Sequence, residues 1–165
     1  MANNPFVGSW RFVSYISEDE NGEITHPFGE DAHGYIMYGA DGYMQVALMT
    51  SDRPIFDTKR FRSGSTENKV AAFEGYLSYA GPYTIGEDTI THHVEVAWFP
   101  NMVGLDNVRK FELDGNRLKL SVPPIEIDGD SVGKFYSAHL IAQTSDWKVF
   151  GLDHQVLRWG IMIPQ

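Results

Sequence analysis

Two histidines stand side by side, His92 and His93, in the run "THHVEVAW". Imidazole, with a pKa of about 6.5, is the side chain best suited to moving a proton near neutral pH. Adjacent strand residues point to opposite faces, so the two rings cannot grip one metal ion together. Alternation groups His92 with Ile90, Val94, Val96 and Trp98, which reads as the inward set. His93 falls with Thr89, Thr91 and Glu95, the solvated set. An inward His92 is either a hydrogen-bonded core residue or a group that handles a proton inside the fold. Arg109 poses a similar choice. It shares a face with Asn107, Phe111 and Leu113 on the next strand, so its guanidinium points inward. Burying a charge without a partner is expensive, so Arg109 must meet a protein carboxylate or an oxygen of a ligand. His92 and Arg109 are the candidate catalytic residues.

Other chemistries lack their residues. There is no glycine-rich phosphate loop and no dinucleotide fingerprint after a strand. Ser65 in "SGSTE" lacks the flanking pattern of a nucleophile elbow. Cysteine is absent, which removes thiolate catalysis, disulfides and zinc-thiolate sites. No cofactor and no metal site are expected. A net charge of -9, from 13 Lys and Arg against 22 Asp and Glu, repels polyphosphate, so nucleic acid is not an expected partner. No window approaches the apolar length of a membrane helix, and the start of the chain lacks the basic and apolar parts of a signal peptide. The expectation is a cytoplasmic protein with no membrane partner.

The elements that would position His92 and Arg109 are mostly strands. Asp41-Gly42 separates the alternating runs Tyr35–Tyr38 and Tyr43–Met49, and Asp114-Gly115-Asn116 separates Val108–Leu113 from Arg117–Val122. Both are hairpin signals. Trp10–Ser17 alternates ahead of an Asn21-Gly22 turn, Thr89–Trp98 reads as one strand, and Lys134–Ala142 and Lys148–Ile163 read as strands near the end. One segment changes period: Val70, Phe73, Leu77 and Ala80 fall on one side of a helix over about 66–80, ended by Gly81-Pro82. Gly75 inside it implies a close approach to another backbone. The fold class is therefore mostly β: eight or nine antiparallel strands and one helix packing at one end, in a single domain over 1–165. Closing such a meander into a barrel removes its edges and leaves room for one small ligand. The expected lining is Tyr35, Met37, Tyr38, Tyr43, Met44, Gln45, Val94, Trp98 and Phe111, with Phe73 and Leu77 of the helix, beside Tyr76 and Tyr79, lidding one end. Both faces of the Tyr35–Met49 hairpin carry apolar side chains, so its inward face is left open. An exposed edge beside the C-terminal segment would suit a homodimer.

Gly8-Ser9-Trp10 opens the first strand, and this Gly-x-Trp triplet resembles the signature of lipocalins and related calycin-type barrels. The runs "HPFGEDAHGYIMYGADGYMQVALM", "AAFEGYLSYAGPYTI" and "THHVEVAWFPNMVGLDNVRKFELDGNRLKLSVPP" resemble, in order, the small stand-alone lipocalin-like domain family. The resemblance covers Val7 to about Pro123. It implies a barrel around a small hydrophobic molecule. It also implies that Arg158, in a last strand within "HQVLRWGIM", packs its cation over Trp10 at the closed end. Family members commonly close with Leu-x-Trp-Glu-Arg, which here has only Leu157-Arg158-Trp159-Gly160 as a counterpart, after about thirty extra residues. Some lipocalin-like proteins of natural-product pathways act as cofactor-free cyclases or isomerases. The resemblance therefore implies such an enzyme, or a non-catalytic carrier or sensor of a small hydrophobic ligand.

Overall fold

The structure, a computed structural model, describes residues 4–60, 63–122, 125–127, 130–132 and 135–143. In chain order the elements are β1 (Gly8–Glu18), β2 (Ile24–Thr25), β3 (His33–Tyr38), β4 (Tyr43–Met49), α1 (Thr66–Glu74), β5 (Tyr76–Ile85), β6 (Thr89–His93) and β7 (Val96–Ala97). They continue with β8 (Asp106–Asp114), β9 (Arg117–Val122), β10 (Ile125–Ile127), β11 (Asp130–Val132) and β12 (Phe135–Ala142). Eight of these strands close an antiparallel barrel in the order β12-β9-β8-β6-β5-β4-β3-β1, with β12 returning to β1. β2 extends from β1, β7 pairs with β5, and β10 and β11 form their own hairpin. Closure leaves no open edge among the eight barrel strands, and the C-terminal segment beside which an edge for a homodimer is expected lies outside the described residues. No helix among the described residues is long and apolar enough to cross a membrane.

The two ends of the barrel differ. Short turns join β3 to β4, β5 to β6 and β8 to β9 at one end, and both hairpin glycines read from the sequence, Gly42 and Gly115, adopt positive φ there (87° and 55°). That end is sealed by aromatic rings. Trp10 is buried and its indole N–H donates to the Phe6 carbonyl at 2.7 Å. The Phe6 ring meets Tyr38 and Phe111 edge-on at 5.7 and 4.9 Å. The strand that completes the barrel is β12, whose Ala142 stands opposite Trp10. Arg158 and the expected strand Lys148–Ile163 lie outside the described residues. The longer connections, 19–32, 50–75 with α1, and 94–105, gather at the opposite, open end.

Three local readings change in the fold. The helix stops at Glu74, and the residues expected to continue it form β5 through Gly81 and Pro82. Leu77, Tyr79, Gly81 and Tyr83 also alternate, so the segment satisfies a strand period too. Pairing with β4 from Met49↔Tyr76 to Tyr43↔Pro82 decides between the two. α1 itself buries no residue, so packing does not extend it. Gly75 caps the helix, its carbonyl accepts from the Thr50 backbone N–H at 3.0 Å, and an added Cβ would crowd Thr50 Oγ1 at 2.8 Å.

The strand expected over Thr89–Trp98 breaks after His93. Val94 N–H bonds Leu105 O and Glu95 N–H bonds Ala80 O, so the chain bends and β7 starts in a new phase. Val94 stays buried while Val96 is 67% exposed. In β1, the pairing with β12 slips between Phe12 and Ser14, a bulge that leaves Val13 unmatched and exposed. The extra residue reverses the alternation, so Trp10 and Phe12 face inward before it and Tyr15 after it.

Candidate functional site

The barrel holds a cavity of about 50 Å³ that is partly open to solvent. That volume matches roughly three or four water-sized volumes. Most of the wall is apolar: Phe12 from β1, Ile36 from β3, Val46 and Leu48 from β4, Leu77 from β5, Leu120 and Val122 from β9, and Ala138 from β12. The polar wall consists of Tyr15, Tyr79, His92, Arg109 and Tyr136.

His92 stands at the centre of the polar groups. It is 1% exposed, with Nε2 at 2.9 Å from the Tyr38 hydroxyl and Nδ1 at 2.9 Å from the Tyr79 hydroxyl. A neutral imidazole has one donor and one acceptor nitrogen, so one tyrosine donates to the ring and the other accepts from it. Burial drives the His92 pKa down to about 3, with the Arg109 charge and then His93 adding to the effect. Burial likewise raises Tyr79, against the opposing charge and hydrogen bond of Arg109 and a weaker effect of Asn107. Tyr38 is raised well above the usual phenol range by burial, and Tyr15 is pushed up to about 12 by the same cause. At neutral pH His92 is therefore uncharged.

Arg109 is half-buried on β8, and its Nη1 donates to the Val108 carbonyl at 3.0 Å. No carboxylate lies within ion-pairing distance of it among the described residues. Asn107, one pleat nearer the mouth, pairs across the ladder with His92, and its buried amide lies beside the Tyr79 hydroxyl. His93 lies outside as expected, with Nδ1 2.7 Å from Asp106 and Nε2 3.1 Å from Thr84 Oγ1.

Of the expected lining, His92, Arg109 and Leu77 border the cavity, Leu77 from a strand in place of the helix. Tyr38 reaches it through His92, and Met44 is buried in the core. Val94 and Phe111 also pack in or against the core without bordering the cavity. The inward face of the β3–β4 hairpin is Ile36, Tyr38, Met44, Val46 and Leu48. Tyr35, Met37, Tyr43 and Gln45 take the opposite phase and face solvent, which corrects their assignment as lining residues. Phe73 and Trp98 come together away from the cavity. The indole N–H of Trp98 donates to the Phe73 carbonyl at 3.1 Å, and its ring packs on Phe73 and Phe99. Tyr15 and Tyr136 were not foreseen. The β1 bulge hides the first, and nothing in the local pattern of β12 marks the second.

The chain is similar to three known proteins. A 4'-hydroxy-3'-methoxypropiophenone carrier protein from Aspergillus oryzae is 30% identical over 95 residues, spanning 52% of this chain and 86% of that protein. A lipocalin-like protein from Bacteroides uniformis superposes with a TM-score of 0.44 at 12% identity, covering 85% of this chain and 100% of its own. A protein from Bacteroides eggerthii does so at 0.40 and 13%, covering 81% and 98%. The sequence profile of the lipocalin-like domain matches residues 7–143, which carries the likeness beyond Pro123 to the end of β12. A profile that begins just before the Gly-x-Trp triplet and ends with the strand that closes the barrel spans the whole closed sheet, and the chain belongs to the lipocalin-like domain family.

Proposed function

We propose that the protein binds a small, largely apolar organic molecule in the barrel and carries it, anchored by a ligand oxygen set against Arg109 and the Tyr79 hydroxyl. The observation that supports this most directly is an inward Arg109 on an apolar wall with no carboxylate to neutralise it among the described residues. The A. oryzae relative is named as the carrier of a phenolic ketone, a molecule with one ring, a short tail and oxygen acceptors. Native mass spectrometry of the purified protein, followed by titration calorimetry with 4'-hydroxy-3'-methoxypropiophenone, tests the proposal. A hydrogen bond to a charged group contributes about 1.5–3 kcal/mol, so Arg109→Ala is expected to weaken binding by roughly 10- to 100-fold. Equal affinity in wild type and Arg109→Ala would remove the anchor.

Catalysis, as a cofactor-free isomerase or cyclase, is a second reading supported by the line of polar groups from Arg109 through Tyr79 and His92 to Tyr38. In it Arg109 and Tyr79 polarise a carbonyl and the apolar wall holds the substrate in a reactive shape. His92 serves as a positioning residue. Both its nitrogens are engaged by tyrosines, and a pKa of about 3 makes it a weak base at pH 7. Liquid chromatography and NMR of the ligand recovered after incubation separate the readings, because a carrier returns the same isomer and an isomerase or cyclase returns a different one.

A further inference from the structure

We infer that the cavity takes its ligand as an anion, the ionised oxygen of a weakly acidic phenol or enol on an apolar body, with Arg109 as counter-ion. The inference rests on the proposed binding function and adds the charge state that the site selects. The groups that face Arg109 can be named strand by strand. β1 contributes Tyr15, β3 contributes Tyr38 through His92, β5 contributes Tyr79, β6 contributes His92 and β12 contributes Tyr136. From β4 and β9 come only Val46, Leu48, Leu120 and Val122. Among the described residues no Asp or Glu lines the cavity, and the carboxylates nearest in sequence on β8, Asp106 and Glu112, point outward to His93 and Lys119.

At neutral pH His92 is uncharged and the buried tyrosines remain protonated, so Arg109 gives this cavity one positive charge inside a chain whose net charge is -9. A half-buried cation on an apolar wall is satisfied best by an anion of matching size. Asn107, on the same inward face of β8, supplies a further buried amide donor beside the Tyr79 hydroxyl. A neutral ligand would leave the guanidinium without a counter-charge, whereas an ionised oxygen neutralises it.

Absorption spectroscopy tests this with full-length protein and two probes, 4-hydroxyacetophenone, whose ionisation moves its band to longer wavelength, and 4-methoxyacetophenone, which cannot ionise. Bound 4-hydroxyacetophenone is expected to show the phenolate band about one pH unit or more below the free compound, a roughly tenfold preference for the anion. Above the pKa of the free phenol, where its anion predominates in solution, the methyl ether should bind about tenfold more weakly. Arg109→Gln should abolish the shift and Arg109→Lys should keep most of it, with thermal melts confirming that each variant folds. A bound phenol with the neutral spectrum, or an ether that binds as well as the phenol above that pKa, would overturn the inference and leave the carrier reading standing. Failure of both probes to bind wild-type protein would overturn both.

Discussion

Removing the His92 imidazole would leave the hydroxyls of Tyr38 and Tyr79 without their shared partner in the interior. Each unsatisfied buried group costs about 1–3 kcal/mol, so His92→Phe is expected to lower stability by roughly 3 kcal/mol in urea unfolding at pH 7. The sign of the pH dependence follows from where the proton binds. In the folded chain His92 takes a proton only near pH 3, whereas the unfolded chain takes one at about 6.5. Between these values the unfolded state binds more protons, so stability is lost as pH falls. From pH 7 to pH 5 this single group removes about 2 kcal/mol from the wild type. His92→Phe lacks that term, so the stability gap between the two proteins should narrow by that amount. A gap that stays constant over this range would show that His92 is not held neutral.

The element that sets the site most tightly is β5, which meets the bend between β6 and β7 at Gly81. A Cβ added there would land on the His93 carbonyl oxygen, with Glu95 N at 3.0 Å. That bend turns the chain after His92, so the clash reaches the residue at the centre of the polar wall. Gly81→Ala is expected to cost about 3 kcal/mol, the upper part of the overpacking range, and to weaken ligand binding as well. Chemical denaturation and calorimetry on the same preparation check both effects. A variant as stable as wild type would mean that β5 and the bend separate at little cost.

For the molecule as a whole, closure depends on β12, which pairs with β1 from Trp10↔Ala142 to Glu18↔Phe135 and with β9 on its other side. A chain ending at Val132 would lack this strand and expose the edges of β1 and β9 together with Trp10, Leu118 and Leu120, which are buried in the closed barrel. Such edges invite aggregation. The shortened protein is expected to lose its cooperative thermal transition and to elute as aggregate, while the full chain shows one transition. A soluble, cooperatively folding product would show that eight-strand closure is not what holds the sheet.

The sequence alone settled the features that depend on near neighbours. Asp41-Gly42 and Asp114-Gly115-Asn116 mark hairpins because they allow the positive φ that tight turns need. The alternation around His92 and Arg109 set both on the inner face because a strand's period is two. It also placed Trp10 in the interior at the head of β1, and the triplet around it pointed to the right family. What it could not settle depended on partners distant in the chain. The segment 75–80 fits a helix or a strand by local pattern, and pairing with β4 chose the strand. Both faces of β3 and β4 carry apolar side chains, so only closure of the sheet decided that Ile36 and Val46 turn inward and Tyr35 and Gln45 outward. A single unmatched residue at Val13 reversed β1 and brought Tyr15 to the cavity. A strand's local period fixes which residues share a face, but which face becomes the interior is fixed by the long-range hydrogen bonds that close the barrel.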